Sequence, residues 1–144
     1  MDGDGASLKL ADGKIVNVRL AYGDAPETEK KEGGKVVKPG QPYGDKAASY
    51  LDSLIKGKNL TMRVTEPASG KNFWRPVVEV YADGVNVNKE MFKAGYYSKQ
   101  KRGIPLEYWD AASQGEINQE GMYREKSVET AAEFRARMFP GMLE

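Results

Sequence analysis

Apolar and polar residues alternate from Val16 to Tyr22, where Val16, Val18, Leu20 and Tyr22 interleave with Asn17, Arg19 and Ala21. That is the period-2 signature of a half-buried strand, and it stops at Gly23. Arg19 lies on the polar parity. A shorter alternating piece, Ser7 to Leu10, precedes it, and Asp12-Gly13 between the two reads as a hairpin turn. Further on, Leu60, Met62 and Val64 alternate with Thr61, Arg63 and Thr65 as another strand. Pro67 to Asn72 is a turn, and a fourth strand runs from Trp74 to Tyr81, closed by Asp83-Gly84.

The helical period appears elsewhere. Ala47, Ala48, Leu51, Leu54 and Ile55 recur at three- and four-residue spacings after Pro42, with Gly57 as the stop. A short helix is expected over Val87 to Tyr96 and a longer one over Pro105 to Glu120, with Leu106, Trp109, Ala112 and Ile117 available to pack. The last spans Val128 to Phe139, with Ala131, Ala132, Phe134, Ala136 and Met138 as its apolar content. Between Thr28 and Gln41 the text is Lys, Glu and Gly without periodicity, expected to be a mobile, partly basic loop. Strands first, one helix among them, then helices, is an α+β order with a mainly β core, and strands this short suit a small barrel. Four strands are visible. A fifth either precedes Asp2 or lies in an under-read segment, and there is no internal repeat.

Composition narrows the chemistry rather than the fold. At 144 residues the chain has the size of one domain, and 22 Lys+Arg against 21 Asp+Glu leave a formal charge of +1. Any anion site must therefore be a local cluster. Without Cys there is no disulfide framework, thiolate metal site or thiol nucleophile, and without His there is no imidazole base or triad. Carboxylate, Lys and Tyr acid–base chemistry remain, or a hard metal ion held by oxygen. No apolar run reaches transmembrane length, and the N-terminus lacks the basic-then-apolar layout of a signal peptide. The opening MDGDG and the closing Leu143-Glu144 look like an expressed fragment with a cloning remnant at residues 143–144.

Arg19, Asp24 and Glu27 fall within one strand-to-loop passage that Pro26 stiffens. With that passage, VRLAYGDAPE, come QPYGDKAASYLDSLIKGKNL, FWRPVVEVYADGVNVNKEMFKAGY and a helix closing at Gly121-Met122-Tyr123. Together and in this order they resemble the staphylococcal nuclease-like (thermonuclease) family over residues 2–124. The resemblance implies a five-stranded OB-fold barrel with three helices, followed here by a C-terminal helical extension over 125–142. It also implies calcium-dependent hydrolysis of DNA and RNA with little sequence specificity. Arg19 and Arg75 match the family's phosphate-binding arginines, Glu27 its general base, Asp24 a calcium ligand, and Ala25 a main-chain metal contact. The other metal aspartate has two alignments: Asp4 fills it, or Ala6 stands there and the site loses a ligand. Asp4 is favoured. Trp74 stands where the family commonly has Gly, Pro76 follows the arginine, and the family's strand before the first aspartate is missing. The resemblance further implies a DNA or RNA partner, single strands preferred, a monomer, and a secreted or cell-envelope setting.

The chemistry agrees with that reading. Phosphodiester hydrolysis gathers negative charge on the phosphoryl oxygens, and a planar guanidinium answers it with two parallel hydrogen bonds. Calcium needs hard oxygen ligands, which this chain can supply. Tyr96, Tyr97 and Lys99 interleave aromatic and basic side chains, which suits base stacking beside phosphate contacts, and Phe73 suits the same role. The tyrosines suit a core equally well. Lys30, Lys31, Lys35 and Lys38 form either a basic flap or a solvated loop. A nuclease-like domain that binds single-stranded nucleic acid or another anionic partner without cutting is the alternative. The final helix is expected to be a packing extension or the start of a linker.

Overall fold

The computed structural model describes residues 3, 5–100, 103–125 and 128–139, with the side chains of residues 37 and 38 excepted. Strand β1 (Gly5–Lys9) runs antiparallel to β2 (Ile15–Leu20), with Leu8 opposite Val16 and Gly5 opposite Arg19. The turn between them is the expected Asp-Gly hairpin. Gly13 takes φ of +88°, and Asp12 accepts a hydrogen bond from the Lys14 amide at 3.0 Å.

The loop expected at Thr28 to Gln41 contains a hairpin instead. After the short β3 (Gly23–Asp24), strands β4 (Lys30–Glu32) and β5 (Lys35–Lys38) pair antiparallel about Gly33-Gly34. Both glycines have positive φ, +56° and +79°, so the turn residues are the signal and the missing periodicity is not. β4 is exposed throughout, so it has no buried face for a sequence pattern to mark.

Helix α1 (Gly44–Ile55) buries Ala47, Leu51 and Ile55, as its spacing required. It is followed by β6 (Leu60–Glu66), β7 (Val77–Ala82) and β8 (Val85–Asn86). β7 starts at Val77 rather than Trp74, because Phe73 and Trp74 turn through left-handed backbone, φ +56° and +60°. The main sheet has the order β1-β2-β7-β6 with β8 on β7. Its one parallel pairing joins β2 to β7, Arg19 to Val77 and Leu20 to Val78.

Helix α2 (Val87–Lys93) is capped by Asn86, whose side chain accepts from the Lys89 amide at 3.0 Å. Strand β9 (Ser98–Lys99) then pairs antiparallel with β3, placing Ser98 opposite Asp24. Helix α3 (Leu106–Ile117) packs through Tyr108, Ala111, Ala112 and Gly115. Of its expected packing residues only Ala112 is buried, while Leu106, Trp109 and Ile117 are exposed. The reason is close approach: a Cβ at Gly115 would lie 2.5 Å from the Phe92 carbonyl, so α3 meets α2 on its small-residue face. Helix α4 (Ala131–Met138) follows a capping box between Thr130 and Glu133 and buries Ala131 and Phe134.

The core joins Val18 and Leu20 of β2, Val78 and Val80 of β7, Met91 and Phe92 of α2, Leu51 of α1 and Tyr108 of α3. Two polar groups are built into it. Asn88, fully buried, donates to the Ala21 and Val78 carbonyls at 3.1 and 3.0 Å and accepts from the Val80 amide at 3.0 Å. Glu79, 2% exposed, pairs with Arg63 and accepts from the Tyr108 hydroxyl at 2.5 Å, which in turn accepts from Asn86 at 2.8 Å. Burial and then the Glu79 hydrogen bond push the Tyr108 phenol well above its ordinary range. The result, among the described residues, is an α+β fold with a mixed, mainly antiparallel sheet and four α-helices, in keeping with the OB-like expectation.

Candidate phosphate site

The site is built where β2 ends. Strand parity turns Val18 and Leu20 inward and leaves Arg19 half-buried on the opposite face, near the end of the strand. Its Nη2 donates to Asp24 Oδ1 at 2.7 Å, with the side chains 24% and 15% exposed. Asp24 is held by the β3–β9 pairing, and its carbonyl accepts from the Ser98 hydroxyl at 3.2 Å. The Arg19 amide donates to the Pro76 carbonyl at 3.0 Å, which brings the Arg75-Pro76 segment beside Arg19 through the parallel pairing.

Arg75 lines a cavity of about 640 Å³ together with Phe73, Asn17, Ser7, Thr28 and Lys30. Its Nε is buried and meets no hydrogen-bond acceptor among the described residues. A buried donor left this way costs about 1–3 kcal/mol, more when charged. Phe73 stands at the rim with 80% exposure, and Trp74, next in the chain, is 75% exposed.

Glu27 follows Pro26 in the loop after β3. Its amide donates to Gln41 Oε1 at 3.0 Å and its carbonyl accepts from the Gln41 amide at 2.9 Å. Helix α1 begins against this same loop, since a Cβ at Gly44 would lie 2.2 Å from the Glu27 carbonyl oxygen. The Glu27 carboxylate, 11% exposed, is ion-paired with Arg135 of α4. Sequence reasoning missed Arg135 and the buried Gln41. Two arginines on a short terminal helix carry no spacing signal toward a loop far away in the chain, and a glutamine next to a proline reads as loop.

The expected stacking residues separate. Phe73 is at the cavity. Tyr97 is fully buried, and a Cβ at Gly23 would lie 2.3 Å from its ring, so it supports β3 from inside and presents no face to a ligand. A stacking role for Tyr97 is thereby replaced by a core role. Tyr96 packs near Tyr50, ring centroids 5.4 Å apart, and lines a separate hollow with Lys93, Gln114 and Arg124. Lys99 lies on β9, 3.8 Å from Glu116 and with its Nζ 4.0 Å from the Trp109 ring centroid.

For a hard cation, Asp24 and the Ala25 carbonyl offer oxygen donors of the right chemistry. Asp4, the other expected ligand, lies outside the described residues, and among the described residues no cluster of three carboxylates converges. Both chain neighbours of residue 4 touch the site. Gly5 pairs with Arg19, and Gly3 packs so closely that a Cβ there would lie 2.5 Å from that of Ala25. Ala6, the alternative to Asp4, is buried opposite Val18.

The chain is similar to an uncharacterized protein of Bacillus anthracis, 28% identical over 95 residues that span 66% of this chain and 42% of that protein. It is also similar to CAN1 of Oryza sativa subsp. japonica, described as a probable staphylococcal-like nuclease. There the identity is 29% over 104 residues, 70% of this chain and 27% of that protein. The chain thus spans less than half the length of either relative. Residues 17–121, the stretch that carries Arg19, Asp24, Glu27 and Arg75, match the family described as staphylococcal nuclease homologue. With most of its length in that match, the chain belongs to the staphylococcal nuclease homologue family.

Proposed function

We propose that this chain is a calcium-dependent nuclease that hydrolyses phosphodiester bonds of DNA or RNA with little sequence preference, single strands preferred. The observation that carries the reading is Arg75, whose buried Nε has no acceptor among the described residues while its side chain lines the cavity beside β2. A phosphoryl oxygen supplies the missing acceptor. Arg19, aligned by Asp24 at 2.7 Å, offers the second guanidinium. Two guanidiniums at the phosphate stabilise charge that grows in the transition state, and losing one such donor costs roughly 100- to 1,000-fold in rate. Glu27 takes the proton of the attacking water, a contribution on the order of 100- to 10,000-fold. Asp24, the Ala25 carbonyl and Asp4 are the residues that would hold calcium, which when bound supplies charge neutralisation at the phosphate and orients water.

A second reading, binding without cutting, is favoured by the exposed Phe73 and Trp74, aromatic faces on which unpaired bases can stack. One experiment separates the two. The protein is incubated with denatured DNA in calcium or in chelator, beside Glu27→Gln and Arg75→Ala. Calcium-dependent cutting that both variants lose supports the nuclease. Salt-sensitive DNA binding with no cutting by folded wild-type protein at any calcium level refutes it in favour of the binding domain.

A further inference from the structure

Glu27 and Arg135 are 108 residues apart, and Arg135 lies beyond the family-matched residues 17–121. Their contact is supported from several sides. Ala131 and Phe134, 2% and 3% exposed, seat α4 on the body of the protein. Thr130 and Glu133 close its first turn with reciprocal hydrogen bonds of 3.2 Å. Gln41, itself 8% exposed, accepts from the Glu27 amide through its side-chain carbonyl and donates through its side-chain amide to the Glu129 carbonyl at the approach to α4. Arg137 is spent elsewhere, on a two-point contact with Glu129 at 2.8 and 3.0 Å. None of the residues that line the Arg75 cavity belongs to α4. Glu27 is not among those residues either, so the ion pair lies outside the lining of that cavity.

We propose that Arg135 is a positioning residue for Glu27, so that the catalytic unit of this chain extends through α4. The inference rests on the nuclease reading above. A carboxylate that is 11% exposed on a loop, beside a proline, has few ways to hold one orientation by itself. The guanidinium fixes one carboxylate oxygen by a charged hydrogen bond, and the loop backbone is pinned by Gln41 at the same place. Losing that charged hydrogen bond loosens the carboxylate, and a displacement of about 1 Å from the attacking water costs on the order of 100-fold.

The test is a double-mutant cycle under single-turnover conditions on denatured DNA with calcium. Arg135→Ala is expected to lower kcat about 10- to 100-fold with little change in KM. Arg135→Lys restores part of it, and Arg137→Ala leaves the rate unchanged. In the Glu27→Gln background Arg135→Ala has no further effect, whereas in the Arg75→Ala background it retains its full factor. Phe134→Ala, which unseats α4 while keeping Arg135 in the chain, reproduces the loss. Wild-type rates in Arg135→Ala, a loss confined to KM, or a loss that multiplies with Glu27→Gln each overturn the inference and leave the nuclease reading standing. A wild-type protein that does not cut DNA overturns both.

Discussion

Replacing Arg75 with methionine separates what the side chain does for the folded protein from what it does for a ligand. Methionine keeps a flexible unbranched stem of similar reach and deletes the charge and the Nε–H. In the free protein that Nε is buried and meets no acceptor among the described residues, a situation that costs about 1–3 kcal/mol. The lost stem packing opposes this by less than about 1.5 kcal/mol, the range for volume-conserving swaps. The expected balance lies between a loss of about 0.5 kcal/mol and a gain of about 3 kcal/mol, a gain being read as a higher urea midpoint at constant slope. The same variant should lose roughly 100- to 1,000-fold in cutting rate, and a phosphate-bearing oligonucleotide that stabilises the wild type should no longer do so. A loss of stability above about 1 kcal/mol would refute the reasoning, because it would mean that the Nε already has a favourable partner in the free protein.

Two further outcomes follow from the buried polar groups. Tyr108→Phe keeps the ring beside Tyr22 and Phe92 but removes the hydroxyl from Glu79, and should cost about 1–3 kcal/mol in chemical denaturation; an unchanged midpoint would show that water takes over at Glu79. Alkaline pH should also destabilise the fold. Burial, reinforced by Glu116, pushes the Tyr123 phenol up to about 12, while the unfolded chain releases the same proton near pH 10. The folded state therefore holds more protons above pH 10, and stability that is complete below pH 10 drains away between 10 and 12. Tyr123→Phe should make that part of the profile less steep, the buried Tyr108 phenol still contributing to it, and a wild-type curve level to pH 12 would contradict the assignment.

Much of the site's first half could be read from spacing alone. Strand parity placed Arg19 on the polar face near the strand's end, and the break at Gly23 placed Asp24 just beyond it. Helix α1 was equally plain, since one buried face of Ala47, Leu51 and Ile55 leaves a 3.6-residue record in the text. The β4–β5 hairpin left none, because an exposed ribbon has no hydrophobic face to alternate. In α3 the strongest apolar residues misled, as close packing against α2 selected Gly115 and two alanines over Leu106 and Ile117. Tyr97 and Lys99 are near neighbours in sequence yet serve opposite environments, a distinction made by the fold and not by residue type. Arg135 was out of reach for a different reason: its meaning lies wholly in a contact across 108 residues.

The parallel pairing of β2 with β7 also has a kinetic meaning. Only two residue pairs hold it, Arg19 with Val77 and Leu20 with Val78, and they close a long stretch of chain. Hairpins such as β1–β2 and β6–β7 form from local contacts, whereas a join between distant strands waits until the loop-closure entropy has been overcome. Arg19 and Arg75 become neighbours only at that late event. A half-folded or nascent chain thus carries both arginines without their native juxtaposition, and on the proposed function affinity for phosphodiesters should appear only as folding completes.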